Sequence, residues 1–150
     1  LIQGEVIGKD EINSALLIST SEMTSLPKLP IREYMTTPLV SLEADMTVAY
    51  VMKTLLQRRI HGAPVIEGSR LLGIVTQTDI VSAIDRGVPM DGQIGDIMVR
   101  NVVTIPGDMR LYEVIRRFKE QDIGRVIVTE EGKPVGILTH SDIIRVFPTL

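Results

Sequence analysis

One phrase occurs twice in the chain, and the duplication constrains its fold more than any other feature. Gly73-Ile74-Val75-Thr76-Gln77-Thr78-Asp79-Ile80 is answered 63 residues later by Gly136-Ile137-Leu138-Thr139-His140-Ser141-Asp142-Ile143. Each copy is a glycine, an apolar run, a hydroxyl residue, and a carboxylate three positions on. The same offset aligns Ile31 with Ile94, Met35 with Met98, Asp45-Met46 with Asp108-Met109, Val51 with Val114, and Val65 with Val128. Residues 31–84 thus repeat as 94–147 without a gap, the mark of an internal repeat and not of shared composition. Two copied units imply a two-fold arrangement, which places binding clefts between the halves.

At 150 residues, one compact domain of two sub-units is expected. A unit of about 55 residues is near the lower limit for holding its own core, so the halves should fold against each other. Residues 85–93, rich in Gly, Pro and Asp, read as their connection. The units are bounded at 30–86 and 91–148. Residues 1–29 have no counterpart and form an N-terminal extension, in which 19–25 with Pro27 and Pro30 read as linker. A strand at 5–7 and a short amphipathic helix around Asp10–Leu16 are expected there, packed in part on the module or a partner subunit. The chain starts at Leu1, as a piece of a longer protein would.

Composition narrows the chemistry. Aromatics are only 3%, so aliphatic side chains and seven methionines must fill the core, with Met35, Met46, Met52, Met98 and Met109 as filler. There is no cysteine, which removes disulfides and thiolate metal sites and fits a reducing, cytoplasmic setting. No apolar run reaches the roughly 18 residues of a membrane span. The net charge of −3 with scattered basic residues argues against a nucleic-acid surface.

Periodicity predicts a βαββα order in each unit, an α/β fold with two small sheets covered by helices. In the first unit a strand at 39–42 precedes a helix capped by Asp45 or Thr47, with Val48, Val51, Met52, Leu55 and Leu56 as its apolar stripe. A hairpin follows (63–66 and 72–76, turning at 67–70), then a helix at 78–84. The second unit repeats this as strand 102–105, helix Leu111–Gln121, strands 125–129 and 135–138, and helix 141–146.

Each phrase closes a strand and opens a helix, with Thr76 or Thr139 at the junction and Asp79 or Asp142 in the first turn. Free N–H groups and partial positive charge at a helix start suit a phosphate, and a carboxylate beside them can accept two hydrogen bonds from a ribose diol. The same residues are also ordinary caps, and a copied domain copies its caps. Gly73 and Gly136 carry two readings as well: close backbone approach to a ligand, or a bulge in the strand.

The duplicated phrase, with Met35-Thr36-Thr37-Pro38, Ile60-His61-Gly62-Ala63-Pro64-Val65 and Met98 followed by Val102-Val103-Thr104-Ile105, resembles the CBS domain pair, or Bateman module. The resemblance covers residues 29–148. It implies two tandem βαββα units about a pseudo-two-fold axis. It also implies a regulatory, non-enzymatic module that senses an adenine nucleotide (AMP, ADP, ATP or a related adenosyl ligand) in the inter-unit clefts. In that family the phrase aspartates, here Asp79 and Asp142, hold the ribose, assisted by Thr76 and Thr139, with Ser141 beside them. The base is walled by Thr37, Pro38, Leu39, Asn101 and Val102 together with the second-strand starts, Ala63-Pro64 and Val126. Basic residues opening that strand reach phosphates; this chain has His61 in one unit and Arg125 in the other, where fuller patterns carry His-Arg in succession.

Other constellations fall away. His140-Ser141-Asp142 has the residue types of a hydrolase triad, but neighbours at a helix start point apart. His61 and His140 have no carboxylates at metal-ligand spacing. Arg58-Arg59 and Arg116-Arg117 read as outer helix faces. The alternative function is a dimerisation or docking module without an obligatory ligand, suggested by the positive mean hydropathy of +0.21. Expected partners are a second copy of the chain and a fused or separate effector domain.

Overall fold

Residues 29–146 are described by a computed structural model. The strand expected at 5–7 and the helix expected around 10–16 lie outside these residues.

Thr47 starts helix α1 (Val48–Arg58), its Oγ1 accepting the Tyr50 N–H at 3.1 Å, so of the two expected caps the chain uses Thr47. The helix buries Val48, Val51 and Leu55, with Met52 packed at the core edge. Leu56 departs from the expected stripe and faces outward, 64% exposed. Helix α1 stops on Arg59, whose φ of 56° is left-handed; helix α3 (Leu111–Gln121) stops on Asp122, one repeat later, at 51°. Such a C-terminal residue redirects the chain and satisfies orphan carbonyls, here those of Leu55 and Leu56 in the first copy.

Each helix leads into a hairpin. Strands β1 (Gly62–Glu67) and β2 (Arg70–Thr76) pair antiparallel, as do β4 (Arg125–Glu130) and β5 (Lys133–Thr139). Their two-residue turns differ: only Gly68 takes positive φ in the first, whereas Glu131 and Gly132 both do in the second. These are the twist-matched geometries that hairpins favour. In the second unit β3 (Thr104–Pro106) lies parallel to β4, completing a three-stranded sheet two residues later than expected at its start. The first unit departs from expectation. Its strand at 39–42 shrinks to one parallel bridge, Leu42 with Val65, because the chain turns at 43–46 immediately after it. Leu42 still donates to Pro64 O and accepts from Ile66 N, so the sheet edge is met.

Each core takes residues from the other unit. Ile31 is fully buried among Ile105, Leu111, Val114, Phe118 and Leu138, while Ile94 is fully buried among Val48, Val51, Leu55 and Val75. Burying each isoleucine contributes about 1.5–3 kcal/mol. Backbone bridges hold the crossings at both ends: Pro30 with Arg110 and Thr36 with Ile137 on one side, Thr47 with Gln93 and Val99 with Ile74 on the other. The leading segment of each unit therefore belongs to its partner's core, and the halves are interlocked.

The repeated glycines serve this crossing. A Cβ on Gly73 would meet Val99 O at 2.7 Å and the Met98 sulfur at 2.9 Å, and one on Gly136 would collide with the Met35 side chain. Of the two readings from sequence, close approach is realised, but by the exchanged segment and not by a ligand. A register shift also lies beside each glycine's partner, at Val65/Ile66 and Val128/Thr129, so the bulge is present too. Met35, Met46, Met52, Met98 and Met109 pack against the two cores as expected.

Candidate functional site

The phrase threonines are the N-caps of α2 (Gln77–Asp85) and α4 (His140–Ile144). In the first copy the Thr76 hydroxyl oxygen accepts the Asp79 N–H at 3.2 Å. Asp79 Oδ2 in turn accepts the Thr76 N–H at 2.8 Å and its hydroxyl at 2.9 Å. This reciprocal cap explains the three-residue spacing without any ligand. Among the described residues nothing donates to Asp79 Oδ1, and the side chain is half-buried.

The second copy is built differently. Asp142 Oδ2 accepts the Thr139 N–H at 2.8 Å and its hydroxyl at 3.2 Å, as in the first unit. Its Oδ1, however, accepts the hydroxyl of Thr36 at 2.9 Å and pairs with the Arg145 guanidinium at 3.1 Å. Asp142 is consequently the one buried charged residue among those described, at 3% exposure. At the first half-site the corresponding positions are Val99, whose side chain cannot donate, and Ser82, which carries no charge and whose hydroxyl oxygen accepts from Arg86 at 2.9 Å.

The residue after each cap repeats a further contact. Gln77 Nε2 donates to Ile60 O at 3.1 Å, and His140 Nε2 lies 3.2 Å from Ile123 O, tying the phrase helix to the chain that leaves the preceding helix. The His140 ring also stands 5.4 Å from that of Phe118.

Beside Asp142 opens a cleft of about 390 Å³. Unit two supplies Gly124, Arg125, Ile137, Thr139, His140, Ser141, Asp142 and Arg145, and unit one supplies Thr36, Arg59, Ile60, His61 and Gly62. His61 and Arg125, split between the repeats in sequence, thus face the same space. Arg59 joins them. Its left-handed conformation ends α1 and places it at the cleft, which corrects its assignment to an outer helix face. Among the described residues Arg59, His61 and Arg125 form no ion pair, and the cleft's single carboxylate is already matched by Arg145. The two guanidinium groups, gathered without counter-ions beside the His61 ring, concentrate positive potential, which favours an anionic ligand.

Of the residues expected to contact a ligand, His61, Arg125, Thr139, Ser141 and Asp142 line this cleft. Thr76 and Asp79 occupy the matching point of the first unit, at the start of α2. Thr37, Pro38 and Asn101 are exposed and Leu39 and Val102 half-buried, outside the lining of this cleft. Ala63, Pro64 and Val126 are buried behind the strand starts, Ala63 and Val126 inside the two cores, so their side chains serve packing. Sequence reasoning passed over Thr36 and Arg145 as contact residues and placed Arg59 on an outer helix face. Arg59 is brought in by a left-handed helix stop that no Gly or Asn announces in the sequence, and Thr36 by the crossing, which no local pattern encodes.

Among the described residues no group of three or more His, Asp or Glu side chains converges to hold a metal ion, and no helix is long and apolar enough to cross a membrane.

The interlocked α/β pair with matched half-sites defines a tandem-repeat module with a cleft between its halves. The CBS domain model matches residues 31–86 and again 94–149, so the chain belongs to the CBS domain family. An uncharacterized protein of Methanocaldococcus jannaschii, MJ1232, is 30% identical over 147 residues, covering 97% of this chain and 49% of the relative. The chain thus spans about half the length of that relative. The crystal structure of an uncharacterized conserved protein from Pyrococcus horikoshii matches with TM-score 0.73 and 31% identity, covering 82% of this chain and 95% of that one. The CBS domain pair of protein MJ0100, solved with 5-methylthioadenosine and S-adenosyl-L-methionine, matches with TM-score 0.71 and 27% identity, covering 81% and 97%.

Proposed function

We propose that this CBS pair is a non-enzymatic regulatory module that binds an adenine nucleotide between its units and reports its presence to a fused or partner effector domain. The observation that carries this reading is the convergence of Arg59, His61 and Arg125, unpaired among the described residues, on the cleft beside the Thr139–Asp142 cap. A phosphate satisfies such a cluster through charge-assisted hydrogen bonds, and a ribose diol matches a carboxylate next to it. The adenosyl ligands of the MJ0100 pair support the nucleoside part. The cations favour a phosphate-bearing ligand over the positively charged sulfonium of S-adenosylmethionine. AMP, ADP and ATP are the candidates, with Asp79 offering the second diol acceptor, and a cytoplasmic location suits such ligands.

Isothermal titration with AMP, ADP, ATP and S-adenosylmethionine tests the proposal. Binding of at least one nucleotide, weakened in Asp79→Ala or Asp142→Ala, is the expected result. No heat with any of the four overturns it.

A second reading, homodimerisation through the helical faces, is favoured by Val81 and Ile144. They occupy the same repeat position and are 66% and 69% exposed, with Leu56 a further exposed apolar group. Sedimentation of the chain with and without nucleotide decides it, a monomer throughout counting against it.

A further inference from the structure

The two phrase aspartates are not equivalent, and their difference points to regulation of the same site. Asp142 already accepts three hydrogen bonds, the Thr139 N–H and hydroxyl on Oδ2 and the Thr36 hydroxyl on Oδ1, and its Oδ1 is ion-paired with Arg145. Three of a carboxylate's about four lone-pair directions are thus taken by hydrogen bonds, with the Arg145 guanidinium beside Oδ1. Asp79 keeps Oδ1 without a donor among the described residues. A diol can therefore meet Asp79 directly, but it meets Asp142 only by replacing existing donors.

The donor from Thr36 matters most because of where it sits. Thr36 ends the segment that crosses from the first unit to the second, and its backbone bridges Ile137 through Thr36 N to Ile137 O at 2.9 Å and Ile137 N to Thr36 O at 3.3 Å. At the other end of that segment, directly after the N-terminal extension, Ile31 N donates to Met109 O at 2.7 Å. The matching crossing, residues 94–99, ends on Val99, which bridges Ile74 through backbone alone. Only one of the two crossings is tied by its side chain to a phrase aspartate.

We propose that Thr36, backed by Arg145, is a latch on the Asp142 half-site: a ribose diol binds there only by displacing the Thr36 hydroxyl, and that displacement loosens residues 31–36 and so signals to the N-terminal extension. The latch rests on the nucleotide reading above. It makes the half-sites unequal, the Asp79 side open and the Asp142 side conditional.

The repeat supplies the test, since Thr36→Val installs the side chain that the other crossing carries naturally. In an Asp79→Asn background, which isolates the Asp142 half-site, AMP and 2′,3′-dideoxy-AMP are titrated calorimetrically with and without Thr36→Val. Hydrogen exchange at position 36 and at Ile137 is followed in the free proteins. Removing the competing donor should tighten AMP about tenfold, the scale of one hydrogen bond to a charged group. Dideoxy-AMP, lacking the diol, should be unchanged, and exchange at both amides should accelerate. AMP binding that appears only with Thr36→Val supports the latch equally. Unchanged or weaker AMP binding, or equal tightening of the dideoxy compound, overturns it. If the wild-type chain binds no nucleotide, the nucleotide reading fails by itself. The exchange rates then judge the contact separately, and unchanged rates show that Thr36 holds nothing.

Discussion

Thr36 donates its hydroxyl to Asp142 across 106 residues of sequence, joining the leading segment of one repeat to the threonine–aspartate phrase of the other. This contact condenses the molecule's architecture. The repeats are interlocked, and the interlock ends at the cleft. If the cleft takes the proposed ligand, its binding is coupled to the packing of the crossing segments.

Asp142 should matter for folding as well as for binding. Replacing it by alanine strands Thr36, Arg145 and the start of α4, and about 2–3 kcal/mol of stability should be lost. Asp79→Ala removes only a partly exposed cap partner and should cost about 1 kcal/mol. Urea unfolding of the two variants checks the order, and equal losses would contradict the asymmetry seen in their contacts.

The phrase glycines should also be unequal. A methyl group at position 73 meets the backbone oxygen of Val99, whereas at position 136 it meets only the flexible side chain of Met35. Gly73→Ala is expected to cost about 2–3 kcal/mol, and Gly136→Ala about 1 kcal/mol. Thermal unfolding followed by circular dichroism gives the comparison.

Acid dependence should have one identifiable surface contribution. The hydrogen bond from Arg32 at 2.7 Å, aided by its charge, holds the Glu130 carboxyl below the usual carboxylate range. A depressed folded-state value means that the pair's stabilisation is complete above the unfolded value and is lost as pH falls through the folded one. The side chains are 39% and 37% exposed, so the effect should be small and screened by salt. Glu130→Gln should remove this part of the acid-side slope at low salt and leave stability near neutral pH almost unchanged. An unchanged slope would show that the pair contributes nothing in solution.

Much of this fold was legible because its signals are local. The 63-residue offset, the helical stripe from Val48 to Leu55, the hairpin turns at Gly68 and Gly132, and the Thr–Asp caps all follow from spacing within one unit. What escaped depends on contacts between units. Nothing near Ile31 or Ile94 indicates that each enters the other core, since a buried isoleucine reads the same in either. The strand at 39–42 failed because apolar character indicates burial, while the number of ladder bonds is set by how soon the chain turns. Arg59 was misread because helical periodicity ends one residue before it, and a left-handed stop reverses which way the next side chain points.

The cationic side of the cleft provides a graded prediction. Arg59→Ala, His61→Ala and Arg125→Ala should each weaken nucleotide binding, with Arg125→Ala reducing affinity about tenfold, the scale of one charge-assisted contact. Raising salt should shrink these differences. Calorimetric titrations at two salt concentrations would show this, and variants binding as tightly as wild type would remove these residues from the site.

Native mass spectrometry of the protein with AMP, ADP or ATP tests the central claim most directly, with the triple variant Arg59→Ala, His61→Ala, Arg125→Ala run in parallel. The expected result is a mass increase of at least one nucleotide per chain in the wild type, strongly reduced in the folded triple variant. A wild-type spectrum showing no nucleotide, or adducts equally abundant in both proteins, would contradict a nucleotide site in this cleft.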